Sequence, residues 1–330
     1  MPRSRPAEGP SGRRRGSPWT GMGAVIAKEA ADHLGGARMV VVELLMFLIA
    51  LAAAWFAATV IRTNIGESPY LFLHLLIVTP ESVPLPVASI IGLVTPVIAI
   101  VLGFDAVNGE FNQRTFSRLL AQPIYRDALL LGKFLARLLV LTIALVSLWL
   151  LVLGLGVLRF GLPPSFEEVA RMLGFLAAAI AYGGVWLAIA LLFSVLFRSP
   201  ATAALGSFGL WLLFTFFWSL IVTRLVARVI AGSPEDVSGF ISYVQTLHTF
   251  ERLSPNTLFS EVAAGLLVPS THGFGLFAQL NERLQGTLPT PLSTAQSFIL
   301  VWPQLTGLVA ATIVIFVIAY IAFQRQEIRA

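Results

Sequence analysis

The chain alternates between long apolar blocks and shorter polar connections. Six blocks, residues 39–61, 85–104, 134–158, 172–197, 201–222 and 301–323, are almost free of charge. Each is long enough for a membrane-spanning helix, which needs roughly 20 mostly apolar residues. Pro96 is expected to kink the second, a distortion that neighbouring helices tolerate in lipid. Residues 70–78 are also apolar but too few to cross, so a re-entrant dip is expected there. The pattern predicts an all-α integral membrane fold with six transmembrane helices.

The connections differ in character. Residues 1–23 include "RSRPAEGPSGRRRGSPW", a basic stretch rich in Pro, Gly and Ser that reads as a disordered tail. Residues 24–330 form the transmembrane domain. Its first segment, "AVIAKEAADHLGGARM", mixes apolar and charged positions. Val25, Ile26, Glu29, Ala30 and His33 fall on one side of an amphipathic helix, and Gly35-Gly36 marks a bend before the first span. Between the fifth and sixth spans lies a long connection, 231–300. It holds turn clusters such as "AGSPEDVSG" and "TLPTPLS". Apolar patches between them, such as "TLFSEVAAGLLVP", are expected as short interfacial helices.

Composition agrees with the bilayer as solvent. The chain is 57% hydrophobic and only 12% charged. Soluble domains carry about 25% charged residues. The chain has no cysteine, which excludes disulfides and thiolate chemistry. The net charge of +5 matters less than its placement. With the N-terminus inside, most of the 22 lysines and arginines fall in inner segments, including Arg114, Arg118, Arg126, Lys133 and Arg137. Such a bias marks the cytoplasmic side. The expected topology is therefore N-terminus and C-terminus both cytoplasmic, in the plasma membrane of the cell.

Several chemistries are missing. No P-loop, H-E-x-x-H or G-x-S-x-G motif occurs. His33, His74, His248 and His272 are scattered without metal-ligand spacing. Glu43, Arg137, Arg224 and Arg228 sit near span ends, where snorkelling to headgroups accounts for them. No acid falls mid-span and no internal repeat is visible, which weighs against a stand-alone secondary transporter or channel. No acid–base constellation marks a lipid-modifying enzyme. Nothing points to nucleic acid.

The exception to this apolar monotony is residues 103–133, "GFDAVNGEFNQRTFSRLLAQPIYRDALLLGK". Asp105 follows the second span. Phe116, Leu119 and Leu120 make an apolar stripe on a short helix. Glu110 and Arg114 can pair across one turn, and Arg118 extends the basic face. Pro123 ends that helix, and residues 124–133 restart one that leads into the third span. Helix, break, helix at the inner surface suits an interfacial anchor and a docking element alike.

These residues resemble the cytoplasmic signature of ABC-2 type permeases, the membrane subunits of type-2 ABC transporters. That signature has an acid after span two, Glu, Gly-Thr-Leu, Leu-Leu, Pro, Arg and Leu-Gly-Lys. Here stand Asp105, Glu110, Thr115, Leu119-Leu120, Pro123, Arg126 and Leu131-Gly132-Lys133, with Arg114 in the glycine position and Phe116 in place of Leu. The segment around Lys28 and Glu29 resembles the family's elbow helix. The resemblance implies a cytoplasmic coupling helix between spans two and three, with a separate ATP-binding subunit docking under the segment from Asp105 to Arg126. That subunit would carry the ATP and Mg, leaving no cofactor on this chain. It also implies a second permease copy or a homologous permease, a membrane lipid environment, and export as the direction of transport.

Overall fold

The computed structural model describes residues 21–63, 70–79, 85–109, 126–232, 236–275 and 290–325. Among the described residues every regular element is helical. Helix α1 spans Met22–Leu34 and stops at Gly35, whose N–H returns to the Ala31 carbonyl. After the Gly35-Gly36 break, α2 runs Ala37–Thr63. Short α3 (Leu71–Ile77) and α4 (Val87–Gly103) follow. Two long helices come next, α5 (Arg126–Phe160) and α6 (Phe166–Leu196). Helix α7 (Pro200–Ala231) is continuous, but Leu213–Val222 within it is π-helical. The chain then forms α8 (Val237–Glu251), α9 (Pro255–Leu267) and α10 (Thr294–Arg325).

Five of these, α2, α5, α6, α7 and α10, are long and apolar enough to cross a membrane. Helix α4 is equally apolar but has 17 residues, the lower limit for a crossing. It continues through Pro96. The apolar blocks thus mark the right helices, but several begin earlier than hydropathy alone indicates. The fourth starts at Phe166 rather than 172, because Ser165 and Glu168 form a capping box at its first turn. The last starts at Thr294 rather than 301.

Helix α6 is the hub. It packs against α4, α5, α7, α9 and α10, and carries the largest buried side chains, Trp186, Arg171 and Tyr182. Small residues let the helices close on it. A Cβ on Gly183 of α6 would lie 2.5 Å from Leu141 Cδ2 of α5 and 2.9 Å from Thr95 Cγ2 of α4. Helix α2 uses alanine in the same way. Ala50, Ala53, Ala54, Ala57 and Ala58 recur at helical spacing and are fully buried, on the side that meets α5 and α4. Small side chains of this kind let membrane helices approach closely. The other side of α2 leaves Val40, Val41, Leu44, Leu45, Leu48 and Ile49 exposed, a surface suited to lipid rather than water.

The connection between the last two long helices differs from the expectation. Helix α9 does not lie on a surface: Phe259, Val262, Leu266 and Leu267 are buried against α6 and α10. Helix α3 is also drawn in. Phe72 is buried and meets Phe160 edge-on at 5.6 Å.

Candidate functional site

At the end of the bundle that carries α1, a buried ion cluster binds three helices. Glu29 of α1 accepts from Lys133 Nζ at 2.9 Å and meets Arg137 Nη1 at 3.0 Å, both on α5. Arg137 Nε also donates to the Leu102 carbonyl at the end of α4, at 2.8 Å. Burial pushes the Glu29 carboxyl upward, but Arg137 and then Lys133 together outweigh it, and the group titrates below its ordinary value. Nearby His33 is held below its ordinary value by burial first and by Arg137 second. Snorkelling therefore does not describe Arg137. Its side chain is 4% exposed and spends its charge inside the protein.

Close approach of α1 to α5 depends on Gly132, where a Cβ would stand 3.0 Å from Val25 Cγ1. Lys28 points away from the cluster's centre. It pairs with Asp32 at 3.7 Å on the exposed face of α1.

Two further contacts tie this end together. After α4, the Val107 and Asn108 N–H groups donate to Ser194 Oγ of α6 at 2.9 and 3.3 Å. In the first turn of α5, Asp127 accepts from the Tyr320 hydroxyl at 3.0 Å and from Gln324 Nε2, both on α10. Of the sequence-derived coupling residues, Asp105 lies just beyond α4, close enough to His33 for its charge to act on the imidazole. Arg126 begins α5. Glu110, Arg114, Thr115, Arg118, Leu119, Leu120 and Pro123 lie outside the described residues, and so does the expected break at Pro123.

At the opposite end the polar groups are equally organised. Glu168 completes the α6 capping box and also accepts from the Phe72 N–H in the first turn of α3, at 2.8 Å. Arg171 is fully buried. Its guanidinium donates to Glu167 at 3.0 and 3.1 Å, to Ser297 Oγ of α10 at 2.8 Å, and to the carbonyls of Leu266 and Leu292. Glu261 of α9 accepts from Arg252 Nε at 3.1 Å and from Gln304 Nε2 of α10 at 2.8 Å, and faces His248 Nε2 at 3.2 Å.

Beside this end opens a cavity of about 520 Å³ between α4, α6, α7 and α9. Tyr182 donates to Asn256 Oδ1 at 2.7 Å, and Asn256 Nδ2 donates to Thr215 Oγ1 at 2.8 Å, which links three helices along its wall. A space of that size accommodates a drug-sized molecule.

A family model described as "ABC-2 family transporter protein" matches residues 23–328. The chain belongs to the ABC-2 transporter family. Among curated relatives, a probable ABC transporter permease protein NosY of Pseudomonas aeruginosa is 31% identical over 262 residues, 76% of this chain and 86% of that protein. A probable ABC transporter permease protein NosY of Stutzerimonas stutzeri is 28% identical over 209 residues, covering 61% and 69%.

For an ABC-2 member, the Leu-Gly-Lys step acquires a physical content here: Gly132 admits α1, and Lys133 pairs with Glu29. Arg171, Tyr182, Thr215, Asn256 and Glu261 were not singled out from the sequence. Most of their partners lie far along the chain, and the local signals near them are the Ser165–Glu168 capping box before Arg171 and the Ser254-Pro255 helix start before Asn256.

Proposed function

We propose that this chain is the permease subunit of an ATP-driven ABC exporter, moved by ATP hydrolysis on a separate subunit. In this reading the chain crosses the membrane six times, counting α4, with both termini on the cytoplasmic side as the Lys and Arg bias favours, and a second permease copy completes the unit. The ATP-binding subunit, with its ATP and Mg, docks beneath the segment from Asp105 to Arg126.

One observation carries this reading. Both feet of the 110–125 segment are anchored into the bundle. The foot after α4 is held by Ser194 of α6. The foot at the start of α5 is held by Glu29 of α1, by the Arg137 link to α4, and by Tyr320 of α10. A force applied between the feet therefore reaches five helices through short polar contacts. Glu29 fixes α1 to the same frame, consistent with an elbow helix lying along the inner interface.

The test is co-purification with the cognate ATP-binding subunit. The Glu110→Ala, Arg118→Ala double variant is expected to weaken docking about tenfold, or ~1.4 kcal/mol, while the bundle stays folded. If that variant still co-elutes fully and transports normally, the docking assignment is wrong.

A further inference from the structure

The cavity between α4, α6, α7 and α9 has a lining with one chemical character. Its walls are apolar and aromatic, with Leu93, Trp211, Phe214 and Phe259 prominent. Its polar groups are neutral: Ser89, Thr215, Ser219 and Asn256 among them. No charged side chain stands among the described residues that line it. A charged molecule entering would lose its water and find no counter-ion, a heavy cost in free energy. A fully apolar molecule would leave the hydroxyls without partners.

The hydrogen bonds have a direction. Tyr182 donates to Asn256, and Asn256 donates to Thr215. Thr215 Oγ1 has thus accepted, and its own hydroxyl hydrogen is left to donate. Ser89 of α4 and Ser219 of α7 add hydroxyls that both donate and accept. The backbone supplies an independent pointer. Phe214, Thr215 and Ser219 all come from the π-helical stretch Leu213–Val222. Such stretches replace i→i+4 bonds with i→i+5 bonds and concentrate at functional sites.

We propose that this cavity binds an uncharged, drug-sized amphiphile, whose apolar body lies against the aromatic wall and whose carbonyl or ether oxygen accepts from Thr215. Asn256 positions Thr215, and Tyr182 positions Asn256. The inference rests on the reading of the chain as a permease and names the class of molecule it would handle. The π-helical stretch and the Tyr182–Asn256–Thr215 chain would hold the site open without ligand.

The experiment uses the full chain in phosphatidylcholine nanodiscs and photolabelling with a neutral 4-alkylbenzophenone. Its ketone is the acceptor, and on illumination it inserts into adjacent C–H bonds. Analogues carrying a carboxylate or a trimethylammonium group run in parallel, and adducts are mapped by mass spectrometry. The neutral probe should label cavity residues saturably, and the charged analogues should label them at least about tenfold less. Thr215→Val, which keeps the shape and removes the hydroxyl, should cut labelling by about three- to tenfold, the worth of one hydrogen bond. Ser89→Trp, which fills the space from α4, should abolish it even if Thr215→Val folds poorly. Equal labelling by a charged analogue, adducts spread over the lipid-facing side of α2, or labelling unchanged by Ser89→Trp would each overturn the proposal. The same preparations are tested for capture of the ATP-binding subunit. Capture without cavity labelling sinks this inference alone, and labelling without capture sinks the permease reading alone.

Discussion

Glu29 and Arg137 form a 3.0 Å ion pair between the first helix and the middle of the chain, with both side chains almost wholly withdrawn from solvent. Lys133 shares the carboxylate, so one acid faces two buried cations. Removing the acid is worse than removing a cation, because it leaves two charges uncompensated. Glu29→Ala is expected to lower stability by about 3 kcal/mol. Arg137→Met should cost less, because the Glu29–Lys133 pair survives, although the Leu102 and Lys133 carbonyls each lose the hydrogen bond Arg137 gives them. Thermal unfolding in detergent checks the order. If Glu29→Ala is the milder change, the cluster does not hold α1 in place.

The same cluster sets an acid limit. The Glu29 carboxyl titrates below its ordinary 4.5 in the folded protein. A depressed carboxyl contributes stability that is present above the unfolded value and is lost as pH falls through the folded one. His33 is depressed below its ordinary 6.5. The unfolded chain therefore takes up that proton first, and stability drops as pH falls below the ordinary histidine value. Two steps are expected on acidification. The earlier one should vanish in His33→Gln and the later one in Glu29→Gln, read as melting temperature against pH in each variant. A profile identical in wild type and both variants would contradict the assignment.

These residues also show what could and could not be read from the chain. The apolar blocks identified the long helices because burial in lipid demands continuous apolarity, which is a local property. Gly35-Gly36 marked the bend before α2 for an equally local reason. Hydropathy begins α6 only at residue 172 because Glu167, Glu168 and Arg171 are charged and fall outside the apolar block. They belong instead to the first turns of a helix, satisfied by Ser165, Phe72, Ser297 and each other. The capping spacing of Ser165 and Glu168 was a sufficient signal for that start. A comparable one, Ser254 followed by Pro255 at the first helical position, marks α9. The burial of α9, the partner of Glu29 and the cavity were not legible. Each depends on which helices become neighbours, and hydropathy carries no such information.

Arg171 offers a test at the other end of the bundle. Its planar fork reaches Glu167, Ser297 and two backbone carbonyls at once, a geometry lysine cannot reproduce. Arg171→Lys is therefore expected to behave nearly as badly as Arg171→Met, with a loss of about 3 kcal/mol. Hydrogen exchange should speed up in the last turn of α9 and the first turn of α10, and not around Glu29. Rescue by lysine would show that charge alone, and not the fork, holds α9 and α10 to α6.

The last prediction concerns the hub. At Gly183 a methyl group would meet Leu141 of α5 and Thr95 of α4 together, closer than real Cβ contacts allow. The two neighbours are on different helices, so relief by moving one leaves the clash with the other. Gly183→Ala should cost about 1–3 kcal/mol, the usual range for an overpacked core. Leu141→Ala alone leaves a void and should cost about 2–5 kcal/mol. Combined, the new methyl occupies part of that void, and the pair should be less damaging than the sum of its parts by at least about 0.5 kcal/mol. The double-mutant cycle, measured by unfolding in one detergent, reads this coupling directly. Strict additivity would mean that α5 and α6 do not meet at Gly183, and the packing of the bundle around α6 would have to be redrawn.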